Sequence, residues 1–377
     1  QPSDAGVARW IVDHAPRQLG AGWRVQVAAA PDGWLAGELA GAGVEIHGWS
    51  ARREPHRGLL GECRRLRRIL DSVDPDLVHL HSAKAGLGGR LVLRGRRPTV
   101  FAPHAWSFDA VSGSTSRAAR GWERLGARWT DRILTVSTAE RDRGVAAGIA
   151  ADYAVVPNGV DLAVHRLADA AARATARRDL GLAADVPLVV CVGRLSAQKG
   201  QDLLLDAWPR VRAAVPGSSL ALVGDGPDGA ALVRRAAPDV RLIGGCADPR
   251  AWYAAATVVA APSRWEGMAL VPLEAMAAGR PVVAFDVTGM GEAVPADAGR
   301  VVAAGDVDAF AGALVERLTD APRVESEGAA GRAHVERHHD IDALATRVLA
   351  VYDDVLTRRR AAAATADGGS SRWRSSR

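Results

Sequence analysis

The chain has 377 residues, 48% of them hydrophobic, which is enough to bury two domain cores and excludes disorder as its default state. No apolar run reaches the ~18 residues of an ordinary membrane-spanning helix. The net charge of +5 allows an anionic partner, but the basic residues are spread along the chain and aromatics make up only 5%, so nucleic acid is not the expected ligand. Cys63, Cys191 and Cys246 show neither CxxC nor Cys/His spacing and read as reduced packing thiols of a cytoplasmic protein, not as disulfides or a zinc site.

In chain order, "SDAGVARWIVDHAPRQL" reads as a loop followed by a helix with no strand before it, and the pattern predicts that a short first strand precedes Gln1. Short β-branched runs follow at 24–30, 44–49, 77–81, 99–104 and 132–137, separated by Ala/Leu/Arg-rich helical stretches. That alternation is the pattern of a parallel sheet built from βαβ units. The helical stretch 52–70 places Leu59, Cys63, Leu66 and Leu70 on one face and arginines on the other. It is expected to pack on the sheet, with peripheral contact to the inner face of a membrane as the alternative.

Three side chains of this half sit at strand ends, where doubly wound sheets bind ligands. Lys84, in "VHLHSAKAGLGGR", is expected to meet an anionic group of an acceptor, and His81 is a weaker candidate beside it. His79 and His81 share a strand face at i, i+2, but no third residue is spaced to complete a metal site, so no metal is expected. His104, in "FAPHAWSFD", is either a satisfied core histidine or a hydrogen-bond partner of a sugar hydroxyl.

The Ala-rich, polar stretch from Pro157 to Pro187 lacks strand character and marks the boundary between domains assigned to 1–163 and 164–360. A second series of strands follows at 188–193, 219–224, 240–245, 258–263, 281–286 and 300–305. In "VGRLSAQKGQDLLL", Arg194 and Lys199 bracket the loop between the first of these strands and a helix starting near Gln201. Lys199 is one of two lysines against 46 arginines, so its presence asks for a reason. A compact ammonium on a thin stem fits where a planar guanidinium does not, and two fixed cations can stabilise a departing diphosphate. "VGDGPDG" is by itself only a turn signal.

The most informative stretch is "PSRWEGMALVPLEAMAAGRP", 262–281: a strand end, a turn at Gly267, and a helix from Met268 to Ala278 stopped by Gly279 and Pro281. Glu266 precedes the helix and Glu274 lies two turns inside it, roughly 10 Å apart by helical rise, with free helix N-terminal amides between them. A sugar–diphosphate–ribose ligand has that layout, with hydroxyls at both ends and phosphates in the middle. A glycosidase pair would flank one bond at ~5–9 Å, and two ordinary surface carboxylates are the plain alternative. The last helix of the second domain is expected to cross back, and 361–377 has the composition of a disordered tail.

Taken together, "HSAKAGLGGR", "PHAWSF", "VVPNGVD", "VGRLSAQKG", "VGDGP" and the Glu-x7-Glu stretch, in that order, resemble glycosyltransferase family 4, of the two-domain GT-B type. The resemblance implies two doubly wound Rossmann-like domains and metal-independent transfer of a hexosyl unit, with retention, from a nucleotide-sugar donor. The donor would be a UDP-sugar or GDP-mannose; it is a substrate, and no cofactor is implied. Lys84 in "HSAKAGLGGR" and the basic helical stretch 52–70 point to a phosphorylated or lipid-linked acceptor. By the same resemblance Arg194 and Lys199 hold the diphosphate, Glu274 the ribose and Glu266 the donor sugar. The amides of Gly267, Met268, Ala269 and Leu270 add phosphate contacts, His104 contacts the transferred sugar, and the loop at Gly6 approaches the diphosphate. The family carries Gly-Gly in that first loop, where this chain has Ala5 before Gly6. A nucleotide-sugar epimerase and a non-catalytic binder on the same fold are the alternatives.

Overall fold

The computed structural model describes residues 6–51 and 58–371, the last six without their side chains. The chain forms two compact units: the described residues up to Val156 together with those from Asp342 onward, and Pro157–Ile341.

The first unit runs α1 (Gly6–Gly20), β1 (Gln26–Ala29), α2 (Trp34–Gly41), β2 (Glu45–Gly48), α3 (Leu59–Val73), β3 (Val78–His81), α4 (Ser82–Leu93), β4 (Thr99–Ala102), α5 (Gly113–Ala127), β5 (Arg132–Thr135), α6 (Thr138–Ala146) and β6 (Tyr153–Val155). β1 and β2 form a parallel pair, and β3-β4-β5-β6 a parallel four-stranded sheet. Each of the five β-branched runs read as strands in this half is one; β6, in "ADYAVVP", was not expected, because three residues between turn formers give no readable period.

The second unit runs α7 (Ala170–Asp179), β7 (Leu188–Val192), α8 (Gln201–Ala214), β8 (Ser219–Val223), α9 (Gly229–Arg235), β9 (Val240–Gly244), α10 (Arg250–Ala255), β10 (Val258–Ala261), α11 (Leu270–Ala277), β11 (Val282–Phe285), α12 (Met290–Ala293), β12 (Gly299–Val302), α13 (Val307–Thr319) and α14 (Ala321–His338). Its sheet is parallel in the order β12-β11-β10-β7-β8-β9. The central strands β10 and β11 are buried at every position, as the unbroken runs "VVAA" and "VVAF" require of strands covered on both faces. Three of its helices start where an aspartate side chain accepts a free amide: Asp169 caps α7, Asp306 caps α13 and Asp320 caps α14.

The last helix, α15 (Ile341–Ser371), belongs to the first unit from Asp342 on. Leu344, Val348, Tyr352 and Val355 recur at helical spacing and join Val100, Ala102 and Leu134 of β4 and β5 in one core. Two expectations are corrected here. The units divide after Val156 and not after residue 163. Residues 361–371, expected in a disordered tail, continue α15, since "AAAATA" is strong helix-forming sequence once a packed helix precedes it; 372–377 lie outside the described residues.

Candidate functional site

In the second unit the turn Arg194–Gly200 is folded onto the start of the Glu-x7-Glu stretch. β7 ends at Val192, and after Gly193 the Leu195 amide donates to Asp225 O (2.9 Å) and the Asp228 amide to Leu195 O (3.1 Å), tying the turn to the "VGDGP" loop. Gln201 Nε2 donates to Arg194 O at 3.0 Å and closes the turn on the first residues of α8. At Gly200, φ is +66° and a Cβ would fall 2.0 Å from Pro262 O, so only glycine permits this approach. Gln198 Nε2 donates to Trp265 O (3.1 Å), the Arg264 amide to Gln198 O (2.8 Å), and the Arg264 guanidinium grips Asp202 through two bonds of 2.7 and 2.6 Å.

This lacing brings together two residues that sequence separates by 67 positions: Lys199 Nζ donates to Glu266 Oε1 at 2.6 Å. Glu266 is 8% exposed, so the ammonium is the counter-ion of a largely buried carboxylate. The Lys199 stem packs against Gly193, its methylenes 3.7–3.8 Å from where a Cβ would stand. Arg194 is exposed, and among the described residues its guanidinium has no partner.

Gly267, Met268, Ala269 and Leu270 lead into α11, whose N-cap, Ala269, supplies no side-chain acceptor for the free amides of the first turn. Asn158, from "VVPNGVD", braces this segment by donating Nδ2 to Met268 O at 2.7 Å, and is itself held through its carbonyl by His339 Nδ1 (2.7 Å). Glu274, on α11, accepts from the fully buried Tyr253 hydroxyl at 2.6 Å, which fixes one carboxylate oxygen. The arrangement offers an exposed guanidinium, an ammonium on a buried carboxylate, an uncapped helix start and an oriented second carboxylate. Those groups suit a ligand that carries both phosphate and hydroxyls. Asn158, Gln198 and Tyr253 were not anticipated as parts of this site, although Asn158 lies in "VVPNGVD", one of the stretches that carry the resemblance.

In the first unit, β3 and β4 pair in register, His81 opposite Ala102, and both leave the sheet through left-handed backbone: φ is +65° at Ser82, +54° at His104 and +101° at Ala105. Non-glycine residues pay for such angles, and persist in them where the surroundings over-determine the conformation. His81 Nδ1 and His104 Nε2 share a hydrogen bond of 2.9 Å. His79 lies beside His81, ring centroids 3.9 Å apart, and its Nδ1 meets the Tyr352 hydroxyl at 2.6 Å. Trp10 stacks on His14 at 3.7 Å and touches the rings of His79, His81 and His104. Gly6 heads α1, in which Trp10 and His14 are a turn apart; Ala5 and the loop before it lie outside the described residues.

Burial depresses all four imidazoles: His14 to about 3, His104 to about 4, and His79 and His81 well below the ordinary range, with the charges of His104 and His14 lowering His79 further and those of His79, His104 and His14 lowering His81. Neutral histidines leave one nitrogen as donor and one as acceptor, which the His81–His104 bond requires. A stability consequence follows. Below pH ~6.5 the unfolded chain takes up protons that the folded unit refuses, so the contribution present above that pH is lost as the pH falls toward 4. Glu140, raised by burial to about 7, works the other way over pH 4.5–7, but it is one group against four. The melting temperature is expected to drop on the order of 10 °C between pH 7 and pH 5. A flat thermal-melt profile over that range would show that these imidazoles are not buried in neutral form.

Lys84 is placed differently from the outward cation expected at this strand end. It is turned into α3, 3% exposed, with Nζ 2.7 Å from Glu62 Oε2. The arginine-bearing start of that helical stretch, 52–57, lies outside the described residues. Among the described residues no group of His, Cys, Asp and Glu is arranged to hold a metal, and no helix is long and apolar enough to cross a membrane.

Residues 5–164 match the family model Glycosyltransferase Family 4, and residues 186–320 match Glycosyl transferases group 1. The GDP-mannose-dependent alpha-(1-6)-phosphatidylinositol monomannoside mannosyltransferase of Mycobacterium tuberculosis is 33% identical, over 92% of this chain and 94% of its own. The lipopolysaccharide core biosynthesis mannosyltransferase LpsB of Rhizobium meliloti is 30% identical, over 74% of this chain and 84% of its own. Among solved structures, HepE of Anabaena in complex with UDP and glucose superposes with a TM-score of 0.80 at 23% identity, covering 94% of this chain and 97% of that one, a likeness of fold.

Proposed function

The chain belongs to glycosyltransferase family 4, with the GT-B fold, and from that premise we propose that it moves a mannosyl unit from GDP-mannose to a lipid-linked acceptor, without a metal and with retention of configuration. That it is a nucleotide-sugar glycosyltransferase rests on the family. The mannose, the guanine nucleotide and the glycolipid acceptor are taken from relatives whose names specify a mannosyltransferase, GDP-mannose and phosphatidylinositol monomannoside or lipopolysaccharide core.

The observation that carries the donor reading is the Lys199–Glu266 pair set at the uncapped start of α11, with Glu274 oriented by Tyr253 on the same helix. In this reading the α11 amides, Lys199 and Arg194 bind the diphosphate, Glu274 accepts from the ribose hydroxyls, and Glu266 accepts from the donor sugar while keeping Lys199 in place. His104 contacts the transferred sugar. As the bond from the anomeric carbon to the phosphate oxygen breaks, the developing negative charge falls on an oxygen served by fixed cations and amides, which need no reorganisation at that moment. The acceptor hydroxyl then adds on the face the diphosphate is leaving, and its proton passes to the departing phosphate oxygen, so the anomeric configuration is kept.

The test is a melting-temperature screen with UDP-, GDP- and ADP-sugars, followed by transfer assays with the donor that binds. GDP-mannose at a hundredfold excess over Kd is expected to stabilise the folded state by about 2.7 kcal/mol. Transfer to a mannosylated phosphatidylinositol should continue in a chelator and give an α-linked product by NMR. Binding without transfer would make the protein a binder, a new sugar formed without acceptor would make it an epimerase, and a β-linked product would overturn retention.

A further inference from the structure

We propose that Glu140 is a positioning residue for His104: it anchors the left-handed backbone at His104–Ala105 and thereby holds the His104 ring against His81. This rests on the reading above that His104 contacts the transferred sugar.

The sequence Ser137-Thr138-Ala139-Glu140 has the form of a helix capping box, in which Ser caps the helix and Glu reaches back to the cap residue's own amide. Half of the motif is present: Ser137 Oγ accepts from the Glu140 amide at 3.0 Å. The carboxylate is diverted from the other half. Its Oε2 accepts from the Val136 amide, one residue further back, at 2.8 Å. Its Oε1 accepts from the Ala105 amide, 35 residues away in sequence, at 2.6 Å. The Glu140 carbonyl accepts from Trp106 Nε1 at 2.7 Å, so the loop after β4 is tied to this one residue at two consecutive positions.

Glu140 is fully buried, and no cation contributes to the shift of its carboxyl, which burial pushes up to about 7 with the charge of Asp109 adding to the effect. A helix start alone does not ask for so unfavourable a group, since Ser137 already caps it. What the carboxylate adds is the amide of a residue at φ +101°, adjacent to a histidine at +54°. With that backbone fixed, His104 Nε2 lies 2.9 Å from His81 Nδ1, and Nδ1 of His104 has no hydrogen bond among the described residues. The ring nitrogen left for a ligand is therefore determined by two partners, Glu140 through the backbone and His81 through the ring.

The experiment is a double-mutant cycle on the full chain with Glu140→Gln and His104→Ala, reading kcat and KM for donor together with the donor-induced melting shift. Glutamine keeps the size but offers one acceptor where the carboxylate offers two, so one of the two amide bonds is lost. Glu140→Gln is expected to lower kcat ten- to hundredfold with KM for donor and the melting shift within twofold of wild type. The double variant is expected to be no slower than His104→Ala alone. Where Glu140→Gln does not fold, Glu140→Asp, which keeps the charge but is one carbon short of the Ala105 amide, is expected to show the same split. An unchanged kcat in a folded variant overturns the proposal, as does a double variant in which the two losses multiply. If His104→Ala itself leaves kcat unchanged, the role of His104 falls, and the positioning role with it.

Discussion

Lys199→Ala is expected to lower kcat for sugar transfer by about a thousandfold, with far-UV circular dichroism unchanged and donor affinity reduced by no more than tenfold. The reason for the asymmetry is that the diphosphate already carries two negative charges while it is esterified to the sugar, which the helix amides and Arg194 also serve, and gains a further one on the bridging oxygen as the glycosidic bond breaks. An interaction that strengthens along the reaction appears in kcat, not in KM. Glu266→Ala should show a related loss, because Lys199 Nζ then lacks the carboxylate that orients it from 2.6 Å away. Lys199→Arg is the sharper variant. The Lys199 stem runs beside Gly193, its methylenes 3.7–3.8 Å from where a Cβ would stand, and its ammonium reaches Glu266 as a single nitrogen where a guanidinium must place a planar fork. It is expected to retain the donor-induced melting shift and to transfer ten- to hundredfold more slowly. Wild-type turnover in Lys199→Ala or in Glu266→Ala would sink the assignment of this turn to the diphosphate.

The second unit was the more legible of the two because its signals are local. β7, β8, β9, β10, β11 and β12 are near-continuous aliphatic runs, and the stop of α11 at Gly279 and Pro281 is written in adjacent residues. The donor candidates could be read for the same reason: strand end, turn and helix start follow one another within twenty residues. What joins them could not be read. Gln198 to Trp265, Gly200 against Pro262 and Asn158 to Met268 are contacts across 62–110 positions, made by residues that look like turn and loop formers. In the first unit the histidines were visible one by one, but their convergence depends on Trp10 of α1 and Tyr352 of α15, which lie at opposite ends of the chain. Glu140 was invisible for a different reason: its capping-box spacing accounts for it completely until the structure shows its carboxylate spent on Ala105 and Val136. Composition misled at 361–371 because alanine-rich sequence reads as low complexity, whereas a packed helix upstream had already nucleated it.

The contrast between the two lysines yields the other large effect, and it concerns stability. Lys84→Met is expected to destabilise the first unit by about 3–5 kcal/mol, which lowers its melting temperature by roughly 10 °C. α4 lies on the sheet through its glycines: a Cβ at Gly86 would stand 2.4 Å from Phe101 Cε2, and one at Gly89 2.3 Å from Leu80 Cδ2, so no layer of water separates helix from strands. Lys84 and Glu62 are each 3% exposed within this packing, and removing the ammonium leaves its carboxylate partner charged and buried. Replacing both, as Lys84→Met with Glu62→Leu, removes the two desolvation penalties together with the attraction, and is expected to return stability to within ~1 kcal/mol of wild type or above it. The double variant also separates a structural lysine from an acceptor-binding one. A stable double variant with unchanged KM for acceptor confines Lys84 to the packing of α3 on α4. A stable double variant whose acceptor KM rises tenfold or more would restore Lys84 to the acceptor site in spite of its buried position.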